Sequence, residues 1–220
     1  MNNKKERMIL ALCLIFSYAI GSFYNDLLIG GTILFTGLSS AYYAGIGKRA
    51  TYILGFINYA LIAYVSWQNY LYGIFIFYVF LFAPLQIAGF FSWKNALGSD
   101  DRVNAKKFTL NKAIAVVALS SVCSVVLGYG LSFVPNQQLS YLDATTNCIN
   151  LFGVILMIMR YAEAFWLWLI NNVLDLAIWA IILLRDGEGA FMMFCTSVGF
   201  LLINIYGIIK WYERAKRVEQ

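Results

Sequence analysis

The sequence predicts an all-α polytopic membrane protein. It is read as two parallel three-helix repeats joined by one linking helix (3+1+3), with an extra helix ahead of them. Three observations predict this. The 220-residue chain is 61% hydrophobic and only 12% charged, whereas a soluble domain carries about 25% charge. Residues 50–93 and 113–142 contain no Asp, Glu, Lys or Arg. Finally, Gln86-Ile-Ala-Gly89-Phe-Phe-Ser-Trp93 returns 118 positions later as Asn204-Ile-Tyr-Gly207-Ile-Ile-Lys-Trp211. Each copy has a carboxamide, then Gly at +3 and Trp at +7. A repeat in so apolar a chain points to a transporter of two halves, with its substrate site where the halves meet.

A bilayer core needs about 20 apolar residues per spanning helix. The apolar runs predict eight helices, near Met8–Tyr24, Leu27–Ile46, Thr51–Val65, Leu71–Phe91, Ala113–Val134, Leu142–Met159, Ala164–Leu184 and Ala190–Ile209. The first follows Lys4-Lys5-Glu6-Arg7 and resembles a signal peptide. It lacks a clear small-residue cleavage site and a second span begins almost at once, so it is read as retained. The long uncharged run 50–93 holds two spans, broken at Trp67-Gln-Asn-Tyr70, a polar and aromatic turn suited to the membrane interface. Pro84 lies inside the fourth span, where it frees a backbone carbonyl and bends the helix. Its counterpart in the second copy is Leu202, so the halves are not equivalent.

The division is then 1–26 as the N-terminal helix and 27–94 as the first repeat. A cytoplasmic loop and the linking helix occupy 95–140, the second repeat 141–212 and a cytoplasmic tail 213–220. In each repeat a basic residue ends the first helix (Arg49, Arg160). An asparagine follows in the second (Asn58, and Asn171 or Asn172). An odd number of linking spans puts both copies in the same orientation. With the N-terminus inside and eight spans, 15 of the 16 basic residues fall on the cytoplasmic side and only Arg185 outside. The positive-inside rule therefore predicts cytoplasmic termini. The net charge of +5 is read as topology control and attraction to anionic lipid, with no nucleic-acid partner.

Composition also excludes chemistry. There is no histidine, which removes histidine-ligated haem, the His-Glu-x-x-His zinc motif and Ser-His catalysis. No phosphate-binding loop of the Gly-x-x-x-x-Gly-Lys type exists, so ATP does not drive the protein directly. Cys13, Cys123, Cys148 and Cys195 fall inside spans at no metal-like spacing and read as packing residues. No cofactor is implied.

The seventh span carries the strongest chemical signal. At 100° per residue, Trp168, Asn172, Asp175 and Trp179 form one stripe, with Asn171 at its edge. Asp175 sits at mid-span, where an ionisable group costs a few kcal/mol unless it faces a cavity or a partner. A carboxylate flanked by indoles and carboxamides suits a flat, polar, positively charged molecule. The plainer alternative is a protonated Asp175 bonded to a neighbouring helix, with the tryptophans facing lipid. Other polar groups at membrane depth are Gln86, Asn58, Asn147, Asn150, Asn204 and Tyr206. Gln86 and Asn204 occupy equivalent repeat positions, while Asn147 and Asn150 serve equally well as helix–helix glue. Asp143 reads as the N-cap of the sixth span.

Several of these residues also form a family pattern. Asp143-Ala, the run Arg160…Glu163…Trp166-Leu-Trp168-Leu-Ile-Asn171-Asn172, and Tyr206-Gly207…Trp211-Tyr-Glu-Arg resemble the PnuC-type vitamin transporters, best known for nicotinamide riboside. The resemblance covers residues 27 to 212. It implies a SWEET-like fold, facilitated diffusion of a vitamin precursor trapped by a cytoplasmic kinase, and a homotrimer. The hinge prolines of the SWEET relatives, in the first helix of each repeat, have no counterpart here. The expected function is uniport of nicotinamide riboside across a bacterial inner membrane. Trp168 and Trp179 are expected to stack on its ring, Asn172 and Gln86 to bond its amide or ribose, and Asp175 to offset its charge. Asn204 completes the far wall. Thiamine or another vitamin is the alternative substrate. A membrane-embedded enzyme is the more distant reading, opposed by the absence of paired intramembrane carboxylates.

Overall fold

A computed structural model describes residues 3–68, 72–98, 100–133, 140–186 and 191–218. The expected helices are present in order: α1 (Asn3–Phe23), α2 (Ile29–Ile46), α3 (Ala50–Gln68), α4 (72–94), α5 (Leu110–Leu131), α6 (Ser140–Ile158), α7 (Ala164–Asp186) and α8 (Phe191–Val218). Among the described residues, seven helices are long and apolar enough to cross a membrane. The helix that falls short is α2. Its Gly, Ser, Thr and Tyr residues lower its hydropathy, and it is the most enclosed, with Leu34, Leu38, Tyr42 and Ile46 all buried. Of the expected 67–70 turn, Trp67 and Gln68 are the last residues of α3, while Asn69 and Tyr70, like the second proline, Pro135, lie outside the described residues.

Pro84 has a visible consequence. α4 starts as an α-helix (Tyr72–Phe77), widens into one π-helical turn (Tyr78–Phe82) and resumes as Ala83–Lys94. Within the π turn the Ala83 N–H reaches back to the Tyr78 carbonyl. Proline offers no N–H and its ring crowds the carbonyl four residues earlier, so the wider turn relieves both problems. In the second repeat α8 is α-helical throughout.

The repeat is legible in the hydrogen bonds. α2 ends with Gly47 N–H donating to Ala44 O (2.9 Å) and Lys48 N–H to Tyr43 O (2.9 Å). α6 ends with Arg160 N–H donating to Met157 O (2.9 Å) and Tyr161 N–H to Leu156 O (2.9 Å). Both turns use a left-handed residue, Gly47 at φ 69° and Arg160 at φ 70°. This is one Schellman closure made twice, 113 positions apart. The partner of Arg160 is therefore Gly47, not Arg49 as the sequence suggested. The same offset pairs Asn58 with Asn171.

Helix packing closes a ring. α2 packs on α3, α3 on α4, α4 on α6, α6 on α7, α7 on α8 and α8 on α2. The third helix of each repeat thus leans on the first helix of the other. Outside the ring, α1 packs on α2 as α5 packs on α6, so the extra helix and the linking helix occupy equivalent stations. Glu6 ties α1 to the ring through both carboxylate oxygens, each 2.8 Å from Lys48 Nζ.

At the basic end of the ring sits an aromatic seal. Trp93 Nε1 donates to Met157 O (3.1 Å) and Trp211 Nε1 to Ala44 O (2.8 Å), each crossing to the other repeat. The 95–109 connection lies over them. Its Val103 N–H donates to Gly47 O (2.9 Å) and its Lys106 N–H to Arg160 O (2.8 Å), the two equivalent cap positions. Val103 and Ala105 are buried with both tryptophans in one cluster. Inside a bilayer, apolar burial against other helices gains little over lipid, so packing and these hydrogen bonds hold the seal. Asp143 falls within the first turn of α6, not at its cap, because the helix already begins at Ser140.

Candidate functional site

The ring encloses a cavity of about 390 Å³, within the 300–1,000 Å³ range of small-molecule sites. Every ring helix contributes one stripe to its wall. α2 supplies Gly37, Ser40, Ala41 and Ala44, and α3 supplies Thr51, Tyr52, Gly55, Asn58, Tyr59 and Ile62. α4 adds Tyr78 and Gln86, and α6 adds Asn150, Val154 and Met157. The fullest stripe is on α7, with Phe165, Trp168, Asn171, Asn172, Asp175 and Trp179. Thr196, Ser197, Phe200, Ile203 and Asn204 complete it from α8. The spacings of three, four and seven are those of one helical face.

The predicted α7 stripe therefore faces the cavity as a unit. Asn171 Nδ2 donates to Asp175 Oδ2 one turn later at 2.9 Å. Asp175 is thus held by its own helix, and among the described residues its hydrogen bond is to Asn171 rather than to the neighbouring helix of the alternative reading. Phe165 meets the Trp168 ring edge-on at 5.3 Å and 84°. Trp166 points away, as its register requires. It donates Nε1 to Tyr212 Oη (3.0 Å), whose hydroxyl is 3.4 Å from Glu163.

Gln86, Asn58 and Asn204 also line the cavity. Asn58 Nδ2 is engaged by α2, donating to Ile33 O (2.6 Å) and Thr36 Oγ1 (3.1 Å), so it doubles as helix glue. Asn204 Nδ2 donates to Phe165 O (3.0 Å). Two predicted residues are not among the lining. Tyr206 stacks on Tyr42 at 6.2 Å, and of the α6 carboxamides Asn150 lines the cavity while Asn147 does not. Sequence reasoning missed Tyr52, Tyr59 and Tyr78. Their signal was present in part: Tyr52, Gly55, Tyr59 and Ile62 follow a 3-4-3 spacing. Tyrosine in an apolar helix does not otherwise stand out.

Four buried polar atoms on lining residues have no protein partner among the described residues: Tyr52 Oη, Trp168 Nε1, Asn171 Oδ1 and Asn204 Oδ1. Buried polar groups are rarely left so. They offer an indole donor, two carboxamide acceptors and a hydroxyl that does either. With the Asp175 carboxylate, this set fits a ligand carrying positive charge, N–H or O–H donors and a hydrogen-bond acceptor. Among the described residues, the lining includes no lysine or arginine. Among the described residues, no cluster of three His, Cys, Asp or Glu side chains is placed to hold a metal.

With this geometry in place, known proteins are informative. A family model described as nicotinamide mononucleotide transporter matches residues 27–213. The nicotinamide riboside transporter PnuC of Neisseria mucosa is 32% identical over 200 residues, covering 89% of this chain and 76% of that protein. The protein of the same name from Haemophilus influenzae is 28% identical over 174 residues, covering 78% and 73%. A solved structure described as the crystal structure of the vitamin B3 transporter PnuC superposes with a TM-score of 0.81 at 30% identity. That match covers 96% of this chain and 92% of the other.

Proposed function

The chain belongs to the nicotinamide mononucleotide transporter family, and on that premise we propose that it carries nicotinamide riboside by facilitated diffusion. It is a multi-pass membrane transporter, not an enzyme. The family description and the relatives' names differ by one phosphate, and the charge of the cavity lining supports the riboside. Nicotinamide riboside bears a pyridinium cation, an amide and ribose hydroxyls. The mononucleotide adds a phosphate. Among the described residues, one carboxylate and no basic side chain line the cavity, which leaves a phosphate without a counter-charge there, at a cost of several kcal/mol in so enclosed a site. This observation carries the choice of the riboside.

In this reading Trp168 and Trp179 stack on the pyridinium ring, where indole faces attract cations. Asp175 offsets the charge. Trp168 Nε1, Asn171 Oδ1, Asn204 Oδ1 and Tyr52 Oη meet the amide and the ribose, with Asn172 and Gln86 beside them. The cavity lies between the repeats, so rocking of one repeat against the other would alternate its exposure. Thiamine, also a flat cation with a hydroxyl, is the competing substrate.

Membrane topology and assembly are part of the proposal. Glu6 near the start of the chain and Arg214 near its end both reach the basic end of α2, through Lys48 and Gly45 O respectively. The excess of Lys and Arg there makes that face cytoplasmic. A homotrimer is proposed from the family resemblance, and light scattering of the purified protein tests it.

The deciding experiment has two parts. Purified protein is titrated with nicotinamide riboside, nicotinamide mononucleotide, thiamine and riboflavin, and the riboside should bind tightest. Proteoliposomes should then equilibrate labelled riboside in both directions without a gradient. Concentrative uptake driven by an imposed proton or sodium gradient removes the uniport reading, and preference for the mononucleotide removes the charge argument.

A further inference from the structure

The cavity wall breaks the symmetry of the repeats at one facing pair. The 113-position offset that superimposes Gly47 on Arg160 and Asn58 on Asn171 also pairs Ser40 with Gly153 and Gly55 with Trp168. In the first repeat the small residue is on the second helix: Gly55 of α3 faces Ser40 of α2. In the second repeat it is on the first helix: Gly153 of α6 faces Trp168 of α7. A methyl group on Gly153 would overlap the Trp168 indole at Nε1 and stand 2.7 Å from Cδ1 and 3.0 Å from Cε2. The indole lies directly on the backbone of α6.

The consequence reaches the third helices. Gln86 and Asn204 are equivalent. With no side chain at Gly55, the Gln86 carboxamide lies over the α3 backbone, and a Cβ on Gly55 would stand 2.5 Å from its Oε1 and 3.0 Å from its Cδ. In the second repeat that space holds the indole of Trp168, and the shorter Asn204 bonds instead to the Phe165 carbonyl at 3.0 Å. Two glycines, one per repeat, therefore set where two wall groups stand.

We infer that Gly153 is a positioning residue for the Trp168 indole, and that Gly55 does the same for the Gln86 carboxamide. Together they make the cavity one-sided and so give a ligand one orientation in it. Trp168 Nε1 is buried without a protein partner among the described residues. Its contact with Gly153, to which Nε1 is the nearest indole atom, is thus what fixes the place of that donor in the cavity wall. The inference rests on the proposed binding of nicotinamide riboside. If wild-type protein does not bind that ligand, the reading of function fails. If wild type binds and the coupling below is absent, only the positioning role fails.

The test is a double-mutant cycle on full-length protein, read by calorimetric titration with nicotinamide riboside. Alanine is a better helix former than glycine, so weaker binding in G153A is not expected from a loosened helix. G153A should lower affinity tenfold or more in the Trp168 background and less than twofold in the W168A background, where the methyl group has space. In protein labelled with 5-fluorotryptophan, the resonance assigned to Trp168 should move in G153A before any ligand is added. If G153A alone does not fold, G153A/W168A should, because removing the indole relieves the overlap. The same cycle with G55A and Q86A should show the same coupling in the first repeat. Equal losses in both backgrounds, an unmoved Trp168 resonance, or a double variant that fails like the single one would each overturn the assignment.

Discussion

Trp93 and Trp211, 118 positions apart in the chain, bring their ring centroids to 5.8 Å at the centre of the basic end. Tyr52 packs edge-on against Trp93 at 4.9 Å, and Phe165 meets Trp211 at 5.4 Å. These partners are also equivalent, and each lies against the repeat glycine. A Cβ on Gly89 would stand 2.6 Å from Tyr52 Cδ1, and one on Gly207 would stand 2.6 Å from Phe165 Cδ1. The sequence motif is thus a packing unit. Its glycine receives a ring from the second helix, and its tryptophan crosses to the first helix of the opposite repeat.

This arrangement predicts equal costs. Trp93→Phe and Trp211→Phe each keep an aromatic ring and remove one indole donor. Each carbonyl, Met157 O or Ala44 O, loses the indole and keeps its cap bond from Arg160 or Gly47 N–H. The expected loss is therefore about 0.5–1.5 kcal/mol per site, the net value of one hydrogen bond. Thermal unfolding in detergent should show two similar drops in midpoint. A large effect at one site and none at the other would mean that the two crossings are not equivalent.

The left-handed caps predict opposite signs. Arg160 sits at φ 70°, a conformation that costs a non-glycine residue about 1–2 kcal/mol. Arg160→Gly removes that cost and adds unfolded-chain freedom worth about 0.5–1 kcal/mol, so it should stabilise the protein by up to about 1 kcal/mol. Gly47→Ala should destabilise it by more, because a Cβ there would also stand 3.0 Å from Arg214 Cζ. Unfolding midpoints of the two variants should lie on either side of wild type. Movement in the same direction would refute the cap assignment.

Much of this fold was legible because hydropathy and basic residues vary along the chain with the period of the bilayer. The eight helices appear in the expected order for that reason. Their ends were harder. α8 was expected to stop at Ile209 and runs to Val218, since a helix leaving the membrane stays a helix after its apolarity ends. A Lys210–Glu213 ion pair at 2.8 Å lies on that extension. The α7 stripe was legible because Trp, Asn and Asp stand out in an apolar span and recur at helical spacing. The α3 wall was not, because Tyr52 and Tyr59 differ little from their neighbours in polarity. Tyr206 and Asn147 show the converse error. Polar groups at membrane depth suggested a shared cavity, but Tyr206 stacks on Tyr42 and Asn147 is not among the lining residues although its spacing to Asn150 is helical. The 113-position offset was invisible since it lives in backbone hydrogen bonds, not in shared residue types.

Charge recognition can be isolated at Asp175. Asp175→Asn keeps an oxygen to accept from Asn171 Nδ2 (2.9 Å in the wild type) and removes the negative charge. Two unit charges about 6 Å apart at an effective dielectric constant near 20 attract by roughly 3 kcal/mol. Binding of the cationic riboside should weaken tenfold or more. The reduced, neutral form of the same riboside should bind the variant within twofold of wild type. Equal losses for both forms would assign Asp175 a structural role and remove the counter-charge from the proposed site.

The stripe on α7 gives the most direct test of where the ligand lies. If Trp168 and Trp179 stack on the ring, each contact contributes on the order of 0.5–2 kcal/mol. Trp→Ala at either site should then weaken riboside binding roughly two- to thirtyfold, since 1.4 kcal/mol is tenfold. Asn172→Ala should fall in the same range by leaving a ligand polar group unpaired. Ile170, half-exposed at 51% on the outer face of the same helix, is the neutral control. Trp166→Leu is the informative one. It removes the donor to Tyr212 Oη (3.0 Å) without touching the cavity, so it should lower the unfolding midpoint and leave affinity unchanged. Affinity and midpoint measured on every variant separate the two effects. Stripe variants that bind as tightly as Ile170→Ala would place the ligand elsewhere in the cavity, and Asp175 would then be a structural carboxylate held by Asn171.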